Sequence, residues 1–183
     1  MRKPISIYCD WALHDELGDD VRLSHGLTME ALDVLERWQR EHGVSFDYYL
    51  LDCFWFKQPG DYTSFDPEMW PDGFEPARRR MEDLGMTPGL WLDTTGAAVA
   101  GWRPWSSREA EHGWAPWAES LDVHSNWSYC LFDGPYGDGL RRVMLHAVEQ
   151  WGVGLFKFDF ADFRAVSERC RHLDEGEVYR RNV

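Results

Sequence analysis

Short apolar runs alternate along this chain with longer segments in which apolar positions recur every three or four residues. The runs ISIYCD, YYLLD, GLWLD and LFKFD end at Asp10, Asp52, Asp93 and Asp159 and have the length and composition of β-strands. Three helical patterns lie between them. Leu27, Ala31, Val34, Leu35 and Trp38 share one face, with Thr28 as the expected N-cap and Gly43 as a left-handed stop. Phe74, Ala77, Met81 and Leu84 repeat the pattern, with Pro76 in the first turn and Gly85 at the end. Leu140, Val143, Met144, Ala147, Val148 and Trp151 form the third, closed by Gly152. The order strand, helix, strand, helix, strand, helix, strand predicts an α/β fold of parallel strands.

Loops from helix to strand are short, whereas those from strand to helix are long, over residues 11–27, 53–72 and 94–138. Structural loops in such units take ~2–6 residues, so lengthening on one side marks the carboxyl ends of the strands as the functional face. It also moves Asp10, Asp52 and Asp93 away from the helices they would otherwise cap. The strand-end acids are 42, 41 and 66 residues apart, so the third unit carries an insertion. Residues 96–135, with Pro104, Pro116 and Pro135, show no helical period and are expected to form a large loop. Four strand-helix units match half of a TIM (β/α)8 barrel, and an isolated half leaves open sheet edges. The reading is therefore a truncated barrel, with about four of eight strands over 1–163 and the start of the following loop or helix over 164–183.

Charge changes the picture of partners. With 19 basic and 32 acidic residues the net charge is −13, which repels nucleic acid and anionic membrane surfaces. No apolar stretch approaches the roughly 20 residues of a membrane span, and Met1 to Asp20 carries charges where a signal peptide needs an apolar core, so a cytoplasmic location is expected. The histidines and the cysteines Cys9, Cys53, Cys130 and Cys170 are scattered, which predicts buried thiols, no metal site and no cofactor. Oligomeric state has no signature here.

Eleven tryptophans are more unusual than the charge, and Trp55, Trp70, Trp102, Trp105, Trp114, Trp117 and Trp127 fall outside the periodic segments. Indole faces in loops suit sugar rings, which makes carbohydrate the candidate partner; equally, long loops with their own small core would use them. Lys157 and Asp159 are two apart on a strand and point to the same side. A cation there keeps the carboxylate ionised, as a nucleophile at an anomeric carbon requires, although a structural ion pair has the same pattern.

These segments resemble the catalytic barrel of family-36 glycoside hydrolases, the alpha-galactosidase and raffinose-synthase relatives. Members have a first strand ending near a Trp, matched by Trp11, and a second strand closing Asp-Asp-Gly-Trp-Phe, similar to Asp52, Cys53, Phe54, Trp55 and Phe56. Their Phe-Pro-x-Gly-Leu looks like Trp70 to Phe74, and their Gly-Leu-Trp with a following acid is similar to Gly89, Leu90, Trp91 and Asp93. Their Lys-Trp-Asp-x-Asn resembles Lys157 to Ala161. The resemblance implies that Asp159 is the nucleophile of a retaining alpha-galactosidase-like enzyme, that Lys157 and Asp52 hold sugar hydroxyls, and that Trp91 walls the glycone pocket. Trp11, Trp55 and Asp93 are the further substrate-binding candidates by matching position.

The chain departs from the family at Cys53 in place of the second Asp, at Ala161 in place of Asn, and in having no Arg between Arg108 and Arg141. Each departure removes a polar contact to sugar, typically about 1–3 kcal/mol when buried. The family's acid/base comes from a later strand, so the resemblance implies that it lies beyond Val183 and that this chain alone is inactive. Two other readings stay open: a non-catalytic or degenerate sugar-binding barrel, and an aldolase-type barrel with Lys157 as a Schiff-base lysine.

Overall fold

The apolar runs form strands because each is flanked by turn residues, and the two central ones, Tyr48–Leu51 and Thr87–Asp93, are buried along almost their whole length, as inner strands of a parallel sheet require. A computed structural model describes residues 4–18, 21–53, 55–58, 61–94 and 135–159. In chain order these form β1 (Ile7–Cys9), α1 (Trp11–Leu17), α2 (His25–His42), β2 (Tyr48–Leu51), β3 (Phe56–Gln58), β4 (Asp61–Phe65), α3 (Glu75–Asp83), β5 (Thr87–Asp93), α4 (Pro135–Trp151) and β6 (Leu155–Asp159). The main sheet is parallel in the order β1-β2-β5-β6, with Ile7 opposite Tyr48 and Leu51 opposite Leu90. That is the strand succession of four consecutive units of an α/β barrel. A second, two-stranded sheet pairs β3 with β4.

By internal contacts the chain divides into two compact units. The first comprises Met1–Lys57, Ser64–Trp91 and His146–Lys157. The second comprises Gln58–Thr63, Leu92–Leu145 and Phe158–Val183. The first holds an aromatic core in which Phe65 stacks on Phe74 at 4.7 Å and 8° and packs against Trp55, Trp70 and Trp151. Trp55 and Trp70 thus belong to a packed core rather than to open loops. The helices α2 and α3 are tied by Arg80, which pairs with Asp33 and Glu36 at 3.0 and 2.8 Å.

Several expectations are corrected. Residues 11–17 are helical, a segment too short for its period to show in the sequence. Its N-cap position is held by Asp10, so that acid is not remote from a helix, yet its side chain makes no cap bond. The α2 cap is Ser24, whose Oγ accepts from the Leu27 N–H at 3.3 Å, and Thr28 is buried within the helix. Trp38 is 42% exposed, because α2 runs past the edge of the core before Gly43 stops it. The 53–72 segment contains the β3 and β4 strands, and α4 starts at Pro135, where Gly137 and Gly139 mask a helical period. The left-handed stops hold as expected at Gly43, Gly85 and Gly152.

Residues 96–134 of the expected large loop lie outside the described residues, as do Trp102, Trp105, Trp114, Trp117, Trp127, Cys130, Ala161, Cys170 and the 164–183 segment. Among the described residues no helix is long and apolar enough to cross a membrane.

Candidate active site

In the first unit the carboxyl ends of β1, β2 and β6 bring together Cys9, Asp10, Asp52 and Lys157. Asp52, 2% exposed, is the centre of the group. Its Oδ2 accepts from Lys157 Nζ at 2.8 Å and from the Cys9 thiol at 3.1 Å. Its Oδ1 accepts the Cys53 N–H at 2.8 Å. Neighbouring strands stand roughly 4.8 Å apart, and β5 intervenes between β2 and β6, so Lys157 uses its long stem to reach a carboxylate two strands away. The Lys157 side chain remains 38% exposed, so solvent reaches this end of the pair.

Asp10 supports this arrangement from below. Its Oδ1 accepts the Asp52 backbone N–H at 2.7 Å, and its own N–H bonds the Leu50 carbonyl at 3.2 Å. Burial pushes the Asp10 carboxyl up to about 8; the Asp52 N–H and Lys157 oppose that shift, and the charge of Asp52 adds to it. Burial, and next the charge of Asp52, push the Cys9 thiol up to about 12, so Cys9 remains a thiol donor.

The predicted aromatic residues are distributed unevenly. Trp11 is half-buried, with its ring 4.7 Å from that of His14, whose Nδ1–H donates to the Val21 carbonyl at 2.7 Å. Trp55 and Trp91 are 0% and 1% exposed. The Trp55 indole N–H donates to the Trp91 carbonyl at 2.9 Å, and Trp91 stacks on Phe56 at 5.9 Å.

The second unit carries Asp93 and Asp159. The Tyr62 hydroxyl accepts the Asp93 N–H at 3.2 Å and donates to the Asp93 carbonyl at 3.4 Å. Thr94 donates both its backbone N–H, at 3.1 Å, and its hydroxyl, at 3.0 Å, to the Asp159 carbonyl. The backbone of the predicted nucleophile is therefore held by two donors at the strand end. Sequence reasoning missed Cys9, Tyr62 and Thr94 in these roles. A Cys immediately before a strand-end acid and a Thr immediately after one were the available signals. Among the described residues no group of three or more His, Cys, Asp and Glu side chains is arranged to hold a metal ion.

A parallel α/β sheet that gathers polar side chains at the carboxyl ends of its strands has the arrangement of a barrel's functional face. Comparison with solved structures makes the fold specific. The chain is similar to the alpha-galactosidase from Lactobacillus brevis, with a TM-score of 0.60 and 15% identity over 98% of this chain. It is similar to the GH36 alpha-galactosidase AgaB from Geobacillus stearothermophilus, at 0.58 and 18% over 97%. The GH36 enzyme AgaA from the same organism, solved in complex with raffinose, matches at 0.57 and 15% over 97%. Nearly the whole chain therefore has a GH36-like fold, and it spans 24% of the length of each of these three structures. No family model and no curated protein matches the sequence.

Proposed function

We propose that this chain contributes the nucleophile half of a retaining glycosidase site for alpha-linked sugars. Asp159 attacks the anomeric carbon, the leaving group departs, and water later cleaves the glycosyl-enzyme ester. Lys157 and Asp52 hold the glycone hydroxyls, the half-buried Trp11 offers an aromatic face, and the buried Trp55 and Trp91 stiffen the unit that carries them. The mechanism also needs an acid/base carboxyl group about 5–5.5 Å from the nucleophile. The observation that carries the reading is the Lys157–Asp52 pair at 2.8 Å, on the strand that ends at Asp159. The GH36-like fold supports it, and the raffinose complex of one fold neighbour supports an alpha-linked galactoside as the substrate class.

Fluoride leaves an anomeric carbon without needing a proton, so the nucleophile can be tested apart from the acid. The chain is incubated with 5-fluoro-alpha-galactosyl fluoride and digested for mass spectrometry. A glycosyl adduct on the peptide containing Asp159, absent in Asp159→Asn, is expected. No adduct with either the galactosyl or the glucosyl reagent refutes the catalytic reading.

A sugar-binding barrel without chemistry is the second reading. It is favoured by Asp52, whose two oxygens are already engaged within the chain, and by the buried Cys53 beside it. Saturation-transfer contacts to galactose without any adduct would support it. The Schiff-base reading is disfavoured, since a carboxylate at 2.8 Å favours the ammonium form of Lys157 over the nucleophilic amine.

A further inference from the structure

Asp10 is wholly buried, and among the described residues only one of its two carboxyl oxygens has a hydrogen-bond partner. Oδ1 accepts the Asp52 N–H at 2.7 Å, while Oδ2 has none. A buried anionic oxygen without a donor is far costlier than a buried neutral hydroxyl. A proton on Oδ2 removes the charge and leaves the Oδ1 bond intact. Among the described residues, the titratable and charged groups that face Asp10 are Asp52 just after β2, Lys157 on β6, Cys9 and Tyr8 on β1, and Tyr49 on β2. Burial holds both tyrosines and Cys9 above their ordinary values, so they stay neutral through the physiological range. Ionising Asp10 leaves one ammonium facing two carboxylates.

We propose that Asp10 is a proton-holding positioning residue: neutral, it fixes the Asp52 backbone and leaves Lys157 committed to Asp52, and on ionising it draws on the same ammonium and disturbs the pair. Asp10 touches no ligand, since it has no exposed surface. The consequence for sugar binding rests on the function proposed above; the coupling within the protein does not. Burial, which dominates its raised value of about 8, puts the transition on the alkaline side of neutrality.

The test is an NMR titration of the intact chain from about pH 5 to about pH 10, with Asp carboxyl carbons labelled by 13C and lysine ammonium groups by 15N. Lys157 is one of three lysines in the chain, which makes its signal assignable. The Asp10 carboxyl is expected to titrate near 8, and the Lys157 resonance to move with the same midpoint. Asp10→Asn, which keeps the acceptor oxygen, is expected to abolish that Lys157 step. An Asp10 midpoint below about 5, or a Lys157 response unchanged in the variant, overturns the proposal. The Asp10 midpoint is read in the unsubstituted chain, so a variant that fails to fold does not protect the idea. Galactose affinity, followed by saturation transfer, is expected to fall roughly fivefold or more across the transition in the unsubstituted chain and to stay flat in the variant. Binding that falls equally in both overturns the proposal, whereas an absence of binding at every pH removes the sugar reading and leaves the Lys157 readout to decide this one.

Discussion

Replacing Lys157 with Met keeps most of the side-chain stem and deletes the charge. Asp52, 2% exposed, then keeps the Cys9 thiol and the Cys53 N–H as donors. At the observed 2.8 Å, the gross attraction is about 1.5 kcal/mol in bulk water and about 6 kcal/mol at an effective dielectric of 20. The Lys157 side chain is 38% exposed, so solvent screening and the desolvation of Asp52 offset much of the larger figure. The expected net loss is about 2 kcal/mol, below the ~3–5 kcal/mol for breaking a fully buried pair. For a chain of 183 residues that corresponds to a fall in Tm of about 4–8 °C. Urea unfolding should show a lower midpoint at an unchanged slope. Asp52→Asn should cost less, about 1 kcal/mol, because the freed ammonium can turn to water. The double variant should recover about 1 kcal/mol relative to the sum of the single ones. A Lys157→Met chain within about 0.5 kcal/mol of the unsubstituted one, or a coupling near zero, would refute the view that the pair is a partly buried, interdependent element.

Trp55→Phe removes the indole donor from the Trp91 carbonyl and opens space beside Phe65, and a loss of about 2–3 kcal/mol by urea unfolding is expected. Gly154→Ala places a methyl group 2.7 Å from Thr87 Cγ2, on a short branched side chain that cannot swing away, and should cost about 1–3 kcal/mol in the same assay. Cys9, with its thiol at about 12, should resist iodoacetamide at pH 8, and Asp52→Asn should speed its alkylation by removing one of the charges that raise it; equal rates would contradict the assignment. Glu75 is held at about 2, chiefly by bonds from Arg78 and then Arg79, below its ordinary 4.5. Its folded value is depressed, so its contribution is present above about 4.5 and is lost as pH falls towards 2; Glu75→Gln should flatten that part of the acid-unfolding curve.

The strands were readable because β2 and β5 are buried along almost their whole length and so appear as unbroken apolar runs. The helix α3 was readable from its ends, Pro76 and Gly85, as much as from its period. What stayed hidden was short or long-range. Seven residues of α1 give too few repeats for a period, and the β3 and β4 strands flank a Pro59-Gly60 turn signal that was read only as loop. For the site, alternation along β6 marked Lys157 and Asp159 as a pair. The bond from Lys157 to Asp52, 105 residues earlier, left no trace there, because it depends on the strand order and on the length of a lysine stem. The buried Asp10 carried no signal of its protonation, since that depends on enclosure by neighbours on another strand.

The aromatic core gives this molecule an optical signature of its own. Trp55 and Trp151 face each other at 6.1 Å and 84°, close enough for their electronic transitions to couple, and the His146 ring lies 4.9 Å from Trp151. Their near-ultraviolet circular dichroism therefore records side-chain packing in the first unit and not helix content. A state that keeps its far-ultraviolet spectrum while losing those bands would be one whose strands and helices persist after their side chains have ceased to interlock.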